Sequence, residues 1–219
     1  ELMGVKSSYT SLMLSTLESA VKASVVNLQG FGIDTDVLVA ADVSGSMFNS
    51  ISPKSTVMLY DIGILLSMLL KSKCRSVVSG MFGSTWKELN LPQENILANT
   101  IEMKRREGEV GYSTNGHTVI DYLVENDIKM DKVMMFTDMQ MWDSTYKEKH
   151  IQKSWAKYRQ MCPEAKLYLF DLQGYGQAPV RLVGELTFRV ESQLEPAAVG
   201  DKFRFVAIGH HGKVKIRRL

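Results

Sequence analysis

The sequence predicts an α/β fold: a doubly wound, mostly parallel sheet flanked by helices, with a strand-rich C-terminal extension. Three observations carry that expectation. Short apolar runs rich in Val, Leu, Met and Phe alternate with longer stretches in which apolar residues recur at helical spacing. Two of the runs, Val37-Leu38-Val39-Ala40-Ala41 and Lys132-Val133-Met134-Met135-Phe136, stop abruptly on polar groups, Asp42 and Thr137-Asp138. After Gly176 the helical spacing gives way to strand-like stretches with no helix between them.

Composition bounds the reading. A chain of 219 residues is long enough for one sizeable core and short for two domains. Hydrophobic content of 45% and charged content of 23% are ordinary for a globular chain. No apolar stretch reaches the ~18 residues of a membrane span, so a soluble protein is expected. A net charge of +2 is too mild to announce nucleic-acid binding and does not exclude RNA. Cys74 and Cys162 stand far apart, with neither zinc spacing nor a disulfide framework, which favours a reducing, cytoplasmic setting. Glu1 is not followed by a signal-peptide pattern, and the chain reads as a piece of a longer protein. The expected organisation is a leading helix and linker to an upstream region over 1–32, the main α/β unit over 33–183, and the extension over 184–219.

Taken in order, Tyr9 to Leu28 places Leu12, Leu14, Leu17, Val21, Val25 and Leu28 at helical spacing, and Gly30 and Gly32 end that helix. The strand Asp36 to Ala41 comes next. Pro53 lies just ahead of a long helix, Ser55 to Lys71, apolar on most sides and therefore expected against the sheet. Ser76 to Phe82 is the second strand, closed by Gly83. Pro92 to Glu107 is a helix of weaker period, and Val119 to Glu125 another. The strand Lys132 to Phe136, the amphipathic helix Ser144 to Met161 and the strand Lys166 to Asp171 complete the alternation. Leu186 to Val190, Lys202 to Ile208 and Lys213 to Arg217 read as the strands of the tail.

The stretch Asp42-Val43-Ser44-Gly45-Ser46 admits two readings from its residues alone. One is a polar turn in which Asp42 caps the next helix; the other is part of a cation site. Ligands in a doubly wound sheet bind outside the carboxyl ends of strands where the winding direction reverses. Asp42 and Asp138 both fall at strand ends, and Thr114 lies in the turn-rich loop Gly111 to Thr118. Two carboxylates and three hydroxyls (Ser44, Ser46, Thr114) make the all-oxygen set that suits Mg²⁺, or Mn²⁺ or Ca²⁺ in its place, with water filling the remaining positions.

These pieces, D-x-S-x-S after a first buried strand, a Thr in a second loop and T-D after a later strand, resemble the metal-ion-dependent adhesion site of the von Willebrand factor A domain. That resemblance implies direct metal ligation by Ser44, Ser46 and Thr114, with Asp42 and Asp138 acting through water and Thr118 as an alternative to Thr114. The wording Leu-Glu-Ser-Ala-Val-Lys, then V-L-V-A-A-D-V-S-G-S-M, F-T-D and P-E-A-K-L-Y-L-F-D-L, also resembles the C-terminal part of Ro autoantigen (TROVE) proteins. The resemblance covers residues 10 to 175. It implies a ring of helical repeats elsewhere in the same protein, and binding of small non-coding RNA or the ends of misfolded RNA. The tail after Gly176 has no counterpart in it. A partner's Asp or Glu completing the metal shell is the alternative ligand.

Catalysis is not expected. A dehalogenase-type phosphatase wants an Asp where Ser44 stands, the G-x-S-x-G elbow of a hydrolase is missing, and so is the P-loop signature. Possible RNA contacts are Lys104, Arg105 and Arg106, and in the tail Lys213, Lys215, Arg217 and Arg218. Val214 and Ile216 alternate with these lysines, which equally suits a half-buried strand with a solvated face. Trp142, Trp155 and Tyr158 offer stacking for single-stranded RNA, although the spacing of the last two suits a helix's core face.

Overall fold

A computed structural model describes residues 9–27, 31, 34–138, 149–173, 186–191 and 204–208. Its strands are β1 (Asp36–Asp42), β2 (Ser76–Phe82), β3 (Trp86–Glu88), β4 (Lys132–Thr137), β5 (Lys166–Asp171), β6 (Leu186–Glu191) and β7 (Arg204–Ile208). The helices are α1 (Thr10–Ser24), α2 (Leu59–Lys73), α3 (Ile96–Arg105), α4 (His117–Glu125) and α5 (Lys149–Met161). The strands form one sheet in the order β3-β2-β1-β4-β5-β6-β7. Pairing is parallel from β2 through β6, and antiparallel only where β3 and β7 close the two edges. The mostly parallel α/β architecture is the one the alternation predicts.

Each central strand is apolar on both faces because both are covered. Val37, Val39 and Ala41 of β1 join Met134, Phe136, Tyr168 and Phe170 in a core with α2 and α3. Leu38 and Ala40 join Val133, Met135, Leu167 and Leu169 in a second core with α4 and α5. The period of two along a strand separates the sets. In the first core the Phe136 and Phe170 rings stack 4.6 Å apart. Gly63 lets α2 settle close to the sheet, since a methyl there would already lie 3.3 Å from Phe136 Cβ. In the second, Trp155 and Tyr158 are buried on α5, so their helical spacing marks the core face. The Tyr158 hydroxyl accepts the Met130 N–H at 2.8 Å.

Helix starts differ from the periodic reading for local reasons. Residues 49–58 fold back on themselves through Ile51 N–H to Val57 O (3.0 Å) and a Ser50–Met58 bridge, so α2 begins at Leu59 and not at Ser55. The Asp61 carboxylate then accepts the Met58 N–H at 3.0 Å and caps the first turn. Helix α3 begins at Ile96 and not at Pro92, because the Asn99 amide binds the Pro92 and Glu94 carbonyls at 2.7 and 2.9 Å and holds that approach as a loop. It ends at Arg105, and a 3₁₀ turn over Glu107–Val110 carries the chain on. Helix α1 ends at Ser24 in a 3₁₀ turn, Val25–Asn27. Glu18 of α1 reaches across to the start of α3, accepting the Ile96 and Leu97 N–H groups at 2.6 and 2.9 Å.

Residues 144–148 of the predicted helix Ser144 to Met161, the strand Lys213 to Arg217 and the glycines at 30 and 32 lie outside the described residues, and the other two tail strands extend the sheet as β6 and β7. Strand β3 has no precursor in the sequence pattern. It packs so closely on β2 that a Cβ at Gly80 would fall on the Lys87 carbonyl oxygen and 2.7 Å from the Trp86 ring. Gly80→Ala is therefore expected to push β3 outward and cost about 2 to 3 kcal/mol, read as a lower urea midpoint.

Candidate metal centre

Strand β1 ends at Asp42, which has no exposed surface. The register that sets Ala41 opposite Phe136 brings Thr137 beside Asp42, and the Thr137 hydroxyl donates to Asp42 Oδ2 at 2.6 Å. The Ser44 N–H donates to Asp42 Oδ1 at 2.9 Å, folding the chain back over the strand end. Val43 N–H bonds the Phe82 carbonyl at 3.0 Å and ties the exit of β1 to β2. A 3₁₀ turn over Gly45–Phe48 comes next, fastened by buried Met47. Ser44 is buried and Ser46 half-buried, with their hydroxyl oxygens 3.4 Å apart. Two oxygens on adjacent corners of an Mg²⁺ shell sit about 3 Å apart, so both hydroxyls are near the spacing one cation requires.

A second loop reaches this turn from α3. The Gly45 N–H donates to the Tyr112 carbonyl at 2.9 Å, and Thr114, two residues on, is 4% exposed. Thr118 commits its hydroxyl to the Asn115 carbonyl at 2.7 Å, inside the first turn of α4. Of the two threonines, Thr114 is the buried one, and Thr118 spends its hydroxyl on the chain's own carbonyl.

Asp138 stands directly after Thr137 and is 1% exposed. Burial pushes the Asp42 carboxyl up to about 7; hydrogen bonds from Ser44 and Thr137 oppose this, and the charge of Asp138 adds to it. Among the described residues the groups acting on Asp42 are thus Ser44, Thr137 and Asp138, none of them a cation. Two buried carboxylates at one strand-end pole, surrounded by hydroxyls, are the electrostatic condition that a bound divalent cation relieves. The donor set is all oxygen and fits a hard cation. Among the described residues no three His, Cys, Asp or Glu side chains gather into a metal-binding group, so a soft-metal site is not formed there.

The remaining candidates are placed differently. Lys104 pairs with Asp61 at 2.8 Å and lies over the Tyr60 ring, Arg105 pairs with Glu102 at 2.8 Å, and Arg106 with Glu109 at 2.9 Å. The Arg106 and Lys87 hydrogen bonds hold the Glu109 carboxyl down at about 2. Each charge of that basic cluster faces an acid on the same surface. Lys213, Lys215, Arg217, Arg218 and Trp142 lie outside the described residues. Thr137 has no role in the sequence reading, where a hydroxyl directly before a strand-end carboxylate was the available signal. Ser84, whose hydroxyl accepts the Ser113 N–H beside Thr114, left no signal beyond its place after Gly83.

A family model described as "Ro60 vWA domain" matches residues 36–175. Among solved structures, the crystal structure of the Deinococcus radiodurans RO (RSR) protein superposes with a TM-score of 0.62 at 18% identity, covering 79% of this chain and 34% of that one. The chain therefore spans about a third of the length of that protein. No curated protein sequence matches.

Replacing Thr137 with valine keeps the shape and removes a hydroxyl donor from a buried carboxylate. Thr137→Val is expected to cost about 1.5 to 3 kcal/mol in urea unfolding with an unchanged slope.

Proposed function

The chain belongs to the Ro60 vWA domain family, and from that premise we propose that it is the cation-dependent docking module of a Ro-like ribonucleoprotein. In this reading it acts beside a helical-repeat ring of the same protein in binding small non-coding or misfolded RNA, in a cytoplasmic setting and with no reaction of its own. The observation that carries the reading is the burial of Asp42 and Asp138 at neighbouring strand ends, next to the paired hydroxyls of Ser44 and Ser46. Ser44, Ser46 and Thr114 would hold Mg²⁺, or Mn²⁺ or Ca²⁺ in its place, with Asp42 and Asp138 orienting them and balancing charge. A bound cation supplies the Lewis acidity that draws an outside acidic oxygen into its shell. Asp42 keeps Ser44 in place through the Ser44 N–H, and Thr137 keeps Asp42 in place.

Helix α1 supports a role within a larger assembly. Its only charged residues, Glu18 and Lys22, lie 4.0 Å from each other, while Tyr9, Leu12, Met13 and Leu17 at and near its start are exposed. An uncharged apolar helix face suits contact with further protein. Among the described residues no helix is long and apolar enough to cross a membrane.

The acid that completes the cation's shell is either an RNA phosphate or a protein carboxylate. Pairing of Lys104, Arg105 and Arg106 with Asp61, Glu102 and Glu109 favours the carboxylate, since phosphate recognition draws on unopposed basic charge. Asp42→Ala is expected to abolish saturable Mn²⁺ binding in calorimetry while circular dichroism stays native; unchanged affinity would refute the cation reading. The chain by itself is expected to bind RNA weakly and without sequence preference in a filter assay at physiological salt. A tight, selective complex there would reverse the preference for a carboxylate.

A further inference from the structure

The loop that carries Thr114 is fastened mainly to the turn between β2 and β3, although Asp42 ends β1 and Ser44 and Ser46 follow it. The Ser84 Oγ accepts the Ser113 N–H at 3.2 Å, and the Ser84 carbonyl accepts the Asn115 side-chain Nδ2 at 2.9 Å. These are the two residues that flank Thr114. The Asn115 N–H adds a bond to the Gly83 carbonyl at 2.9 Å, and Thr85 N–H bonds Val110 O at 3.1 Å at the loop's start. The backbones interlock as well as bond. A Cβ at Gly83 would fall on the Gly111 carbonyl oxygen, and one at Gly111 would sit 2.6 Å from Ser84 Oγ. Gly111 itself has φ of +70°, a conformation that glycine reaches without strain. The loop's direct tie to the D-x-S-x-S turn is the backbone bond from Gly45 N–H to Tyr112 O.

We propose that Ser84 is a positioning residue of the metal centre: its hydroxyl holds the Ser113 N–H and its carbonyl the Asn115 side chain, one on each side of Thr114, and so it fixes where the Thr114 hydroxyl stands relative to Ser44 and Ser46. The inference rests on the reading of that centre as cation-binding. Its physical basis is that a ligand on an untethered loop loses geometry, and that partners one step out from a metal are worth about 10- to 100-fold in affinity.

Mn²⁺ titration followed by electron paramagnetic resonance tests it on the whole chain, with thermal unfolding of the metal-free protein run in parallel. Ser84→Ala is expected to weaken Mn²⁺ binding about 10-fold and to broaden the bound-Mn²⁺ spectrum. Asn115→Ala, which removes the other grip, is expected to do the same, and it serves if Ser84→Ala does not fold. The control is Ser79→Ala in β2, where a buried hydroxyl bonds the Leu89 carbonyl at 3.3 Å; it is expected to lower the unfolding temperature and leave Mn²⁺ affinity unchanged. Wild-type affinity in both Ser84→Ala and Asn115→Ala, or an equal loss in Ser79→Ala, overturns the positioning role. If instead Asp42→Ala binds Mn²⁺ as the wild type does, or the wild type does not bind it, the cation reading itself fails and this inference goes with it.

Discussion

Asp42 is a fully buried carboxylate at the end of a strand with a parallel neighbour on each side, and much of the upper half of the domain is arranged to tolerate it. A buried charge without partners is expensive, so the chain answers each oxygen separately. One oxygen receives a main-chain N–H, which forces the turn after β1; the other receives a hydroxyl from β4, which requires the observed register. A shift of β4 by one residue would remove Thr137 from reach and turn every β4 side chain to the opposite face. The same register keeps Met134 and Phe136 in one core and Val133 and Met135 in the other. Electrostatics at the pole and packing in the body thus select one alignment.

The two cores also explain where the pole lies. Helix α2 leaves β1 toward one face of the sheet, while α4 and α5 cover the other. Strands β1 and β4 are the neighbours between which this doubly wound order reverses, the place where such sheets bind ligands. To that pole comes the loop after α3, led by the 3₁₀ turn Glu107–Val110 and anchored through Gly83, Ser84 and Gly45. The oxygens of this pole are contributed by segments distant in sequence.

How much of the fold is legible in the sequence depends on the range of the forces involved. The apolar runs of β2 and β5 fall within Ser76–Phe82 and Lys166–Asp171, as their composition predicts, because burial on both faces leaves a signal in every residue. Helix starts at Leu59 and Ile96 were displaced because a back-folded loop and the Asn99 amide decide them, and periodicity does not record such contacts. Strand β3 was invisible because three residues carry no pattern and form a strand only by pairing over Gly80. At the pole, Asp42, Ser44, Ser46, Thr114 and Asp138 could be named as candidates from residue type and order. Ser84 could not, and Thr137 shows only its place before a strand-end carboxylate, since their roles depend on loop crossing and on register, which are properties of the folded chain.

Strand β3 bears on the behaviour of the protein in concentrated solution. A sheet edge exposes unpaired amides and carbonyls that another chain can extend, which is a route to aggregation. Here one border is only three residues long, and it carries Lys87, paired with Glu109 at 2.7 Å, and Glu88, bonded to the Tyr122 hydroxyl. A foreign strand docking there would gain few main-chain bonds and would have to displace charges already matched. The close seat of Trp86 over Gly80 therefore does more than shield β2: it gives that border of the sheet a short, charged hem that resists stacking with copies of itself.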